Sequence, residues 1–200
     1  MKKILIATNN PGKYKELVEA FESLSGTFEF LSLADFPAVD DVEETGSTFE
    51  SNALLKARYF GDRLGLPTLS DDSGFILEAY PEKFGVKTKR ELNAKDDIDW
   101  MAQFIDLIEP LDNRRATFYC AMAFYDPHTK DEKVCLGQTQ GEMMEFPQTP
   151  LEKGIPVSSI FLPDGETDVY SAMSKSQKNE ISHRGKACGM MRDFLLDKSF

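Results

Sequence analysis

The stretch KKILIATNNPGK, residues 2–13, decides the architecture. Ile4 to Ala7 form an unbroken apolar run, the pattern of a buried strand, and the small polar residues followed by Pro11 and Gly12 break it. From Lys13 onward Tyr14, Leu17, Val18, Phe21 and Leu24 recur at helical spacing. A strand, a tight turn and a helix in that order predict an α/β fold.

Working outward, FEFLSL (28–33) reads as a second strand, and an acidic loop, DDVEETGS (40–47), follows it. Ser47 and Glu50 have capping-box spacing for the next helix, which Gly65 and Pro67 end. Phe49, Ala53, Ala57, Phe60 and Leu64 make its inward stripe. LPTLS (66–70) is the strand that delivers two adjacent aspartates. A helix from about Ala94 to Ile108 would bury Ile98, Met101, Ile105 and Ile108, with Pro110 stopping it. RATFYCAMAFY (115–125) alternates, with Phe118, Cys120, Met122 and Phe124 on one face. Together with residues 132–146 it reads as an antiparallel pair. LPDG (162–165) is a turn, Ser174 and Gln177 open a short helix, and the last helix starts near His183. Its inward residues are Ala187, Met190, Met191, Phe194 and Leu195. The sheet is mixed, and no repeat or long linker divides the chain, so residues 1–200 read as one continuous domain.

Two hundred residues bury roughly 70% of their unfolded surface, enough for a core without staples. A net charge of −11 repels nucleic acid and anionic membranes on average. A small anionic substrate would then need a local cluster of cations or a divalent metal. Three widely spaced cysteines (Cys120, Cys135, Cys188) fit reduced thiols rather than a disulfide frame, and two histidines exclude a histidine-rich metal site. The first residues hold too few apolar positions for a signal peptide, and the longest uncharged run, Ala116–Tyr125, is half the length of a spanning helix. A cytoplasmic protein is expected.

Three places could carry chemistry. TNNPGK (Thr8, Asn9, Asn10, Pro11, Gly12, Lys13) puts backbone N–H groups and a lysine at the positive end of a helix, either a seat for phosphate or an ordinary capped start. It lacks the spacing of a Walker loop. VEETG and SDDSG bring Glu43, Glu44, Asp71 and Asp72, oxygen ligands that suit Mg²⁺ or Mn²⁺ unless they are turn and surface residues. Neighbouring strand side chains face opposite ways, so only one of the two aspartates can point at a given ion. Lys56, on the edge of its helix's inward stripe, either snorkels outward or reaches into a cleft. KNEISHRGKA (178–187) places His183, Arg184 and Lys186 in the first turn of a helix, where cations oppose the macrodipole unless their side chains escape to water.

With these stretches in hand, the chain resembles the inosine triphosphate pyrophosphatase family, which hydrolyses non-standard purine nucleoside triphosphates. TNNPGK resembles its T-x-N-x-x-K loop and EETGSTFESNALLKA (43–57) its E-x-G-x-T-F-x-x-N-A-x-x-K-A segment; SDDSG and KNEISHRGKA match outright. The resemblance implies an elongated long mixed sheet in two lobes flanked by helices, an active-site cleft between the lobes, and a homodimer. It also implies that Thr8 to Lys13, with Lys56, hold the triphosphate, and that Glu44 and Asp72 bind Mg²⁺. Asp72 would accept a proton from the attacking water and Ser73 would touch substrate. Lys178, His183 and Arg184 would address the nucleotide, the last two mainly its base. Donors from His183 or Arg184 suit the O6 acceptor of inosine or xanthosine, against which adenine presents an amino donor.

The match departs at GIPVSSIF (154–161), where the family reads G-F-G-Y-D-P-x-F. Ile155 stands at the stacking aromatic, Ser158 at the aspartate, and Pro156 and Val157 at Gly and Tyr. FGVKTKRE (84–91) replaces G-V-Y-S-x-R, with Arg90 at the arginine. Base–aromatic stacking is worth ~1–3 kcal/mol, so another ring, Phe146 or Phe161, would have to substitute. A shifted or relaxed base preference, or nucleotide binding without turnover, are the alternatives.

Overall fold

The computed structural model describes residues 1–37, 39–88 and 91–198, so Arg90 lies outside the described residues. The opening stretch folds as read. β1 (Lys2–Ile6) runs into α1 (Pro11–Ala20), with Asn10 as the cap and Pro11 at the first helical position, where its missing N–H is harmless. β2 (Phe28–Ser32) pairs parallel with β1 on one side, and β3 (Thr68–Leu77) pairs parallel on the other. β4 (Arg115–Tyr125), β5 (Glu132–Met143) and the short β6 (Phe161–Pro163) continue antiparallel. The order is β2-β1-β3-β4-β5-β6, the mixed sheet that the sequence predicts.

Helices cover both faces. α2 (Phe49–Leu64) packs Ala53, Ala57 and Phe49 against Ala121, Ala123 and Tyr125 of β4. Small residues on both sides let helix and sheet approach closely. α5 (His183–Asp197) lies on the other face, with Ala187, Met191 and Leu195 against Cys120, Met122 and Phe124. That is why β4 is apolar on both faces. α3 (Asp97–Ile108) covers the far end, where Trp100, Phe104 and Ile108 meet Phe75, Phe118 and Phe161. α4 (Lys175–Ile181) precedes α5. Two main cores result, one under α1 and α5 and one under α3, and the cleft opens between them.

Several details differ from the sequence reading. The strand does not stop at the aspartates: β3 passes through them to Leu77. The cap of α2 is Thr48 with Ser51, one residue beyond the expected pair, because Thr48 is the last extended residue. α3 starts at Asp97 and buries Trp100, Met101, Phe104 and Ile108. Ile98 is exposed and Ile105 only half-buried, since the helix is rotated so that its aromatic residues face the core. Met190 faces solvent on α5. Among the described residues no helix is long and apolar enough to cross a membrane.

Gly137 of β5 marks the closest approach of α5. A Cβ there would meet His183 O at 2.0 Å and Ala187 N at 2.7 Å, both backbone atoms that cannot swing aside. Gly137→Ala should therefore destabilise the fold by about 1–3 kcal/mol, read as a lowered urea midpoint with an unchanged slope.

Candidate active site

The cleft has a volume of about 760 Å³ and is lined by Thr8 to Pro11, Lys13, Glu44, Lys56, Asp72, Ser73, Lys178, His183 and Arg184, whereas Gly12 and Lys186 stand outside its lining. Glu43 lines it too; Asp71 lies beneath the floor, 1% exposed. Gly12 serves the loop instead. A Cβ on it would meet Lys153 O at 2.7 Å.

β3 sorts the two aspartates by alternation. Asp71 faces Lys13 Nζ at 3.0 Å and the Arg184 guanidinium at 3.7 Å. Burial pushes its carboxyl up, but Lys13, Arg184 and Lys56 outweigh this and hold it well below the usual carboxylate range. Asp72, on the opposite face, accepts from Asn52 Nδ2 at 3.1 Å and from Ser73 N at 3.1 Å, with Lys56 Nζ 3.8 Å away. Burial raises it to about 6, and the nearby Glu44 adds to this against the pull of Lys56 and Lys13. Two neighbours in sequence thus differ in kind: a fixed anion, and a carboxylate poised near neutrality.

Lys56 does reach the cleft. Its ammonium donates to Glu44 Oε1 at 2.6 Å and lies between Glu44 and Asp72. Burial lowers its pKa, but Asp71, Asp72 and Glu44 together raise it, so it stays charged. A spot that two carboxylates turn into a seat for an ammonium ion also suits a divalent cation, and the donors are all oxygen. Among the described residues no three His, Cys, Asp or Glu gather into a cage of their own. A cation here would complete its shell with ligand oxygens.

The TNNPGK loop corrects one expectation. Asn10 Oδ1 accepts from Gly12 N at 2.9 Å and Lys13 N at 3.2 Å, so these two N–H groups are committed within the chain. Lys13 and the polar side chains of Thr8 and Asn9 remain on the cleft lining at this end. Asn10 also donates to Gly154 O at 2.8 Å, and Asp97 accepts from Gly154 N at 2.7 Å. The divergent 154–158 segment is thereby pinned to both α1 and α3. Neither Phe146, which is 60% exposed, nor Phe161, buried at 4.1 Å from Phe118, reaches the cleft as a substitute ring. Ser158 turns its hydroxyl back onto Ile155 O.

Arg184 and Lys178 share one partner that the sequence reading missed. Glu16, on the first turns of α1, binds Lys178 Nζ at 2.5 Å and the Arg184 guanidinium, while Arg184 also donates to Ser73 Oγ at 3.0 Å. His183 is buried, and burial first, then Arg184 and Lys178, keeps it neutral. Asn52, fully buried, was missed as well. It couples Gly46 N (2.7 Å) to Asp72. A polar side chain on an otherwise apolar helix face was the available signal for it; Glu16 has none, since it sits one position from the stripe like any solvated residue.

This is an α/β protein whose cleft is lined by Lys13 and Lys56 together with aromatic side chains, Phe75, Trp100 and Phe118 among them. The chain belongs to the Ham1 family, which it matches over residues 4–194. It is 40% identical over 192 residues to a dITP/XTP pyrophosphatase of Bacillus cereus, covering 94% of this chain and 91% of that one. It is 34% identical over 199 residues to a dITP/XTP pyrophosphatase of Geobacter sulfurreducens, with 98% and 97% covered. The solved structure of a HAM1 protein from Coxiella burnetii superposes with a TM-score of 0.83 at 30% identity, covering 99% and 100%.

Asp72 has a consequence for stability. It keeps its proton up to about pH 6 in the folded chain, well above the ordinary 3.8 of a free aspartate side chain. The folded state binds more protons in that window, so its stability falls as pH rises through it. In chelator, Asp72→Asn should raise stability by about 2 kcal/mol at pH 8. Thermal melts across pH should find the gain shrinking below pH 6 and gone below about pH 4.

Proposed function

We propose that this chain hydrolyses non-standard purine nucleoside triphosphates (ITP, dITP and XTP) to the nucleoside monophosphate and pyrophosphate. The observation that carries the reading is the convergence of Lys13, Lys56, Glu44 and Asp72 on one cleft. Membership of the Ham1 family and the two pyrophosphatase relatives support it.

Lys13 and Lys56, with Thr8, Asn9 and Asn10 beside them, bind the triphosphate; Pro11 and Gly12 set the shape of their loop. Glu44 and Asp72 would hold Mg²⁺, or Mn²⁺, which would supply charge neutralisation for the triphosphate. Asp72 accepts the proton of the water that attacks the α-phosphorus. Without the ion it titrates near 6, so it is ionised at neutral pH. Asn52 and the Ser73 amide fix the carboxylate's orientation. Ser73 touches the substrate and keeps Arg184 in place. Lys178, His183 and Arg184 address the nucleoside end.

A keto purine suits the donors that Arg184 and His183 offer, whereas the amino group of adenine would leave them unpaired. The altered 154–158 segment favours a second reading, the same hydrolysis with a relaxed base preference. The three free cysteines, all buried, support a cytoplasmic location, and a homodimer is carried from the family resemblance.

Pyrophosphate release across a panel of triphosphates, with and without Mg²⁺, tests the reading. dITP and XTP should be preferred and chelator should abolish release. Asp72→Asn should lower kcat by about 10²-fold or more. Preference for adenine or pyrimidine substrates would reject the base assignment, and an active Asp72→Asn enzyme the catalytic one.

A further inference from the structure

The base end of the cleft contains a buried donor with no assigned task. Trp100, on the first turns of α3, is 7% exposed and lines the cavity, yet its indole N–H has no partner among the described residues. An unpaired buried donor costs about 1–3 kcal/mol, so such a group calls for a bound acceptor. The ring is held on two sides, stacked on Phe104 with centroids 5.0 Å apart and edge-on to Phe75 at 6.4 Å, so it cannot turn away cheaply. Asp97, one helical turn earlier on the same side, holds the Gly154 amide at 2.7 Å, which fixes the divergent segment beside this ring.

Resting on the pyrophosphatase reading above, we propose that Trp100 is a base-reading residue. Its N–H donates to a carbonyl oxygen of the purine, and it supplies the aromatic contact that Ile155 does not. The first turns of α3, rather than the 154–158 segment alone, then make the specificity wall. Donor-to-carbonyl pairing selects keto purines and works alongside Arg184 and His183.

Trp100 is the only tryptophan of the chain, so its emission reports on the site directly. Saturating deoxyinosine monophosphate, with binding verified by equilibrium dialysis, should change that emission, and pyrophosphate alone should not. Trp100→Phe keeps a ring but removes the donor. It should raise KM for dITP about tenfold and lower the ratio of kcat/KM for dITP over dATP, which a purely packing role would not move. A folded Trp100→Phe enzyme with the parent's ratio overturns the proposal. Where that variant folds poorly, emission indifferent to the bound monophosphate overturns it instead. A parent enzyme inert toward every triphosphate strikes the pyrophosphatase reading, and the emission response then decides this inference by itself.

Discussion

A single carboxylate at the centre of the sheet ties the fold to its site. Asp71 sits on β3 with 1% of its surface exposed, and an isolated charge there would be prohibitive. It is tolerated because Lys13 and Arg184 arrive from opposite ends of the chain, one from the start of α1 and one from the start of α5. Removing either partner of a buried pair typically costs several kcal/mol, since the charge left behind stays buried. The pairing therefore ties the start of both helices, capped by Asn10 and Ser182, to the centre of β3. Arg184 carries the constraint outward to Glu16, and Glu16 to Lys178. A chain of alternating charges runs from beneath the cleft floor to Lys178 on its lining.

Because the side-chain period of a strand is two, Asp72 must face away from this network. That separation lets one dipeptide hold two protonation regimes. Asp71 meets two cations at close range and stays ionised. Asp72 meets one ammonium at 3.8 Å, an amide donor and a nearby carboxylate, and titrates near 6. A one-residue slip of β3 against β4 would exchange the two environments. The register is held by ten paired positions from Thr68 to Leu77 and by buried residues on both faces.

The mixed sheet, its helices and the charged ends of the cleft were legible because they follow from local pattern. Apolar runs, helical spacing, Pro11 and Gly65 each act within a few residues of themselves. The rotation of α3 was not legible, because Ile98 and Trp100 are both apolar and only packing against Phe75 and Phe104 decides which is buried. Glu16 was invisible for a related reason: its partners Lys178 and Arg184 are more than 160 residues away in the chain. Asn10 was recognised as part of a loop, but its capture of two backbone N–H groups and of Gly154 needed coordinates.

The 154–161 segment departs most from the family pattern, and it is tightly braced. Gly154 adopts φ +82°, and a Cβ on it would strike Asn10 Oδ1 at 2.5 Å, so glycine is required there by both conformation and space. Its carbonyl and amide are held by Asn10 and Asp97. Downstream, Ser158 and Ser159 both satisfy their hydroxyls on backbone carbonyls of the same turn. Ile155, Pro156 and Val157 line the cleft as an aliphatic wall that offers no ring for stacking. Direction must then come from the groups around that wall that keep unspent polar atoms, the Trp100 indole N–H and His183 Nδ1 among them.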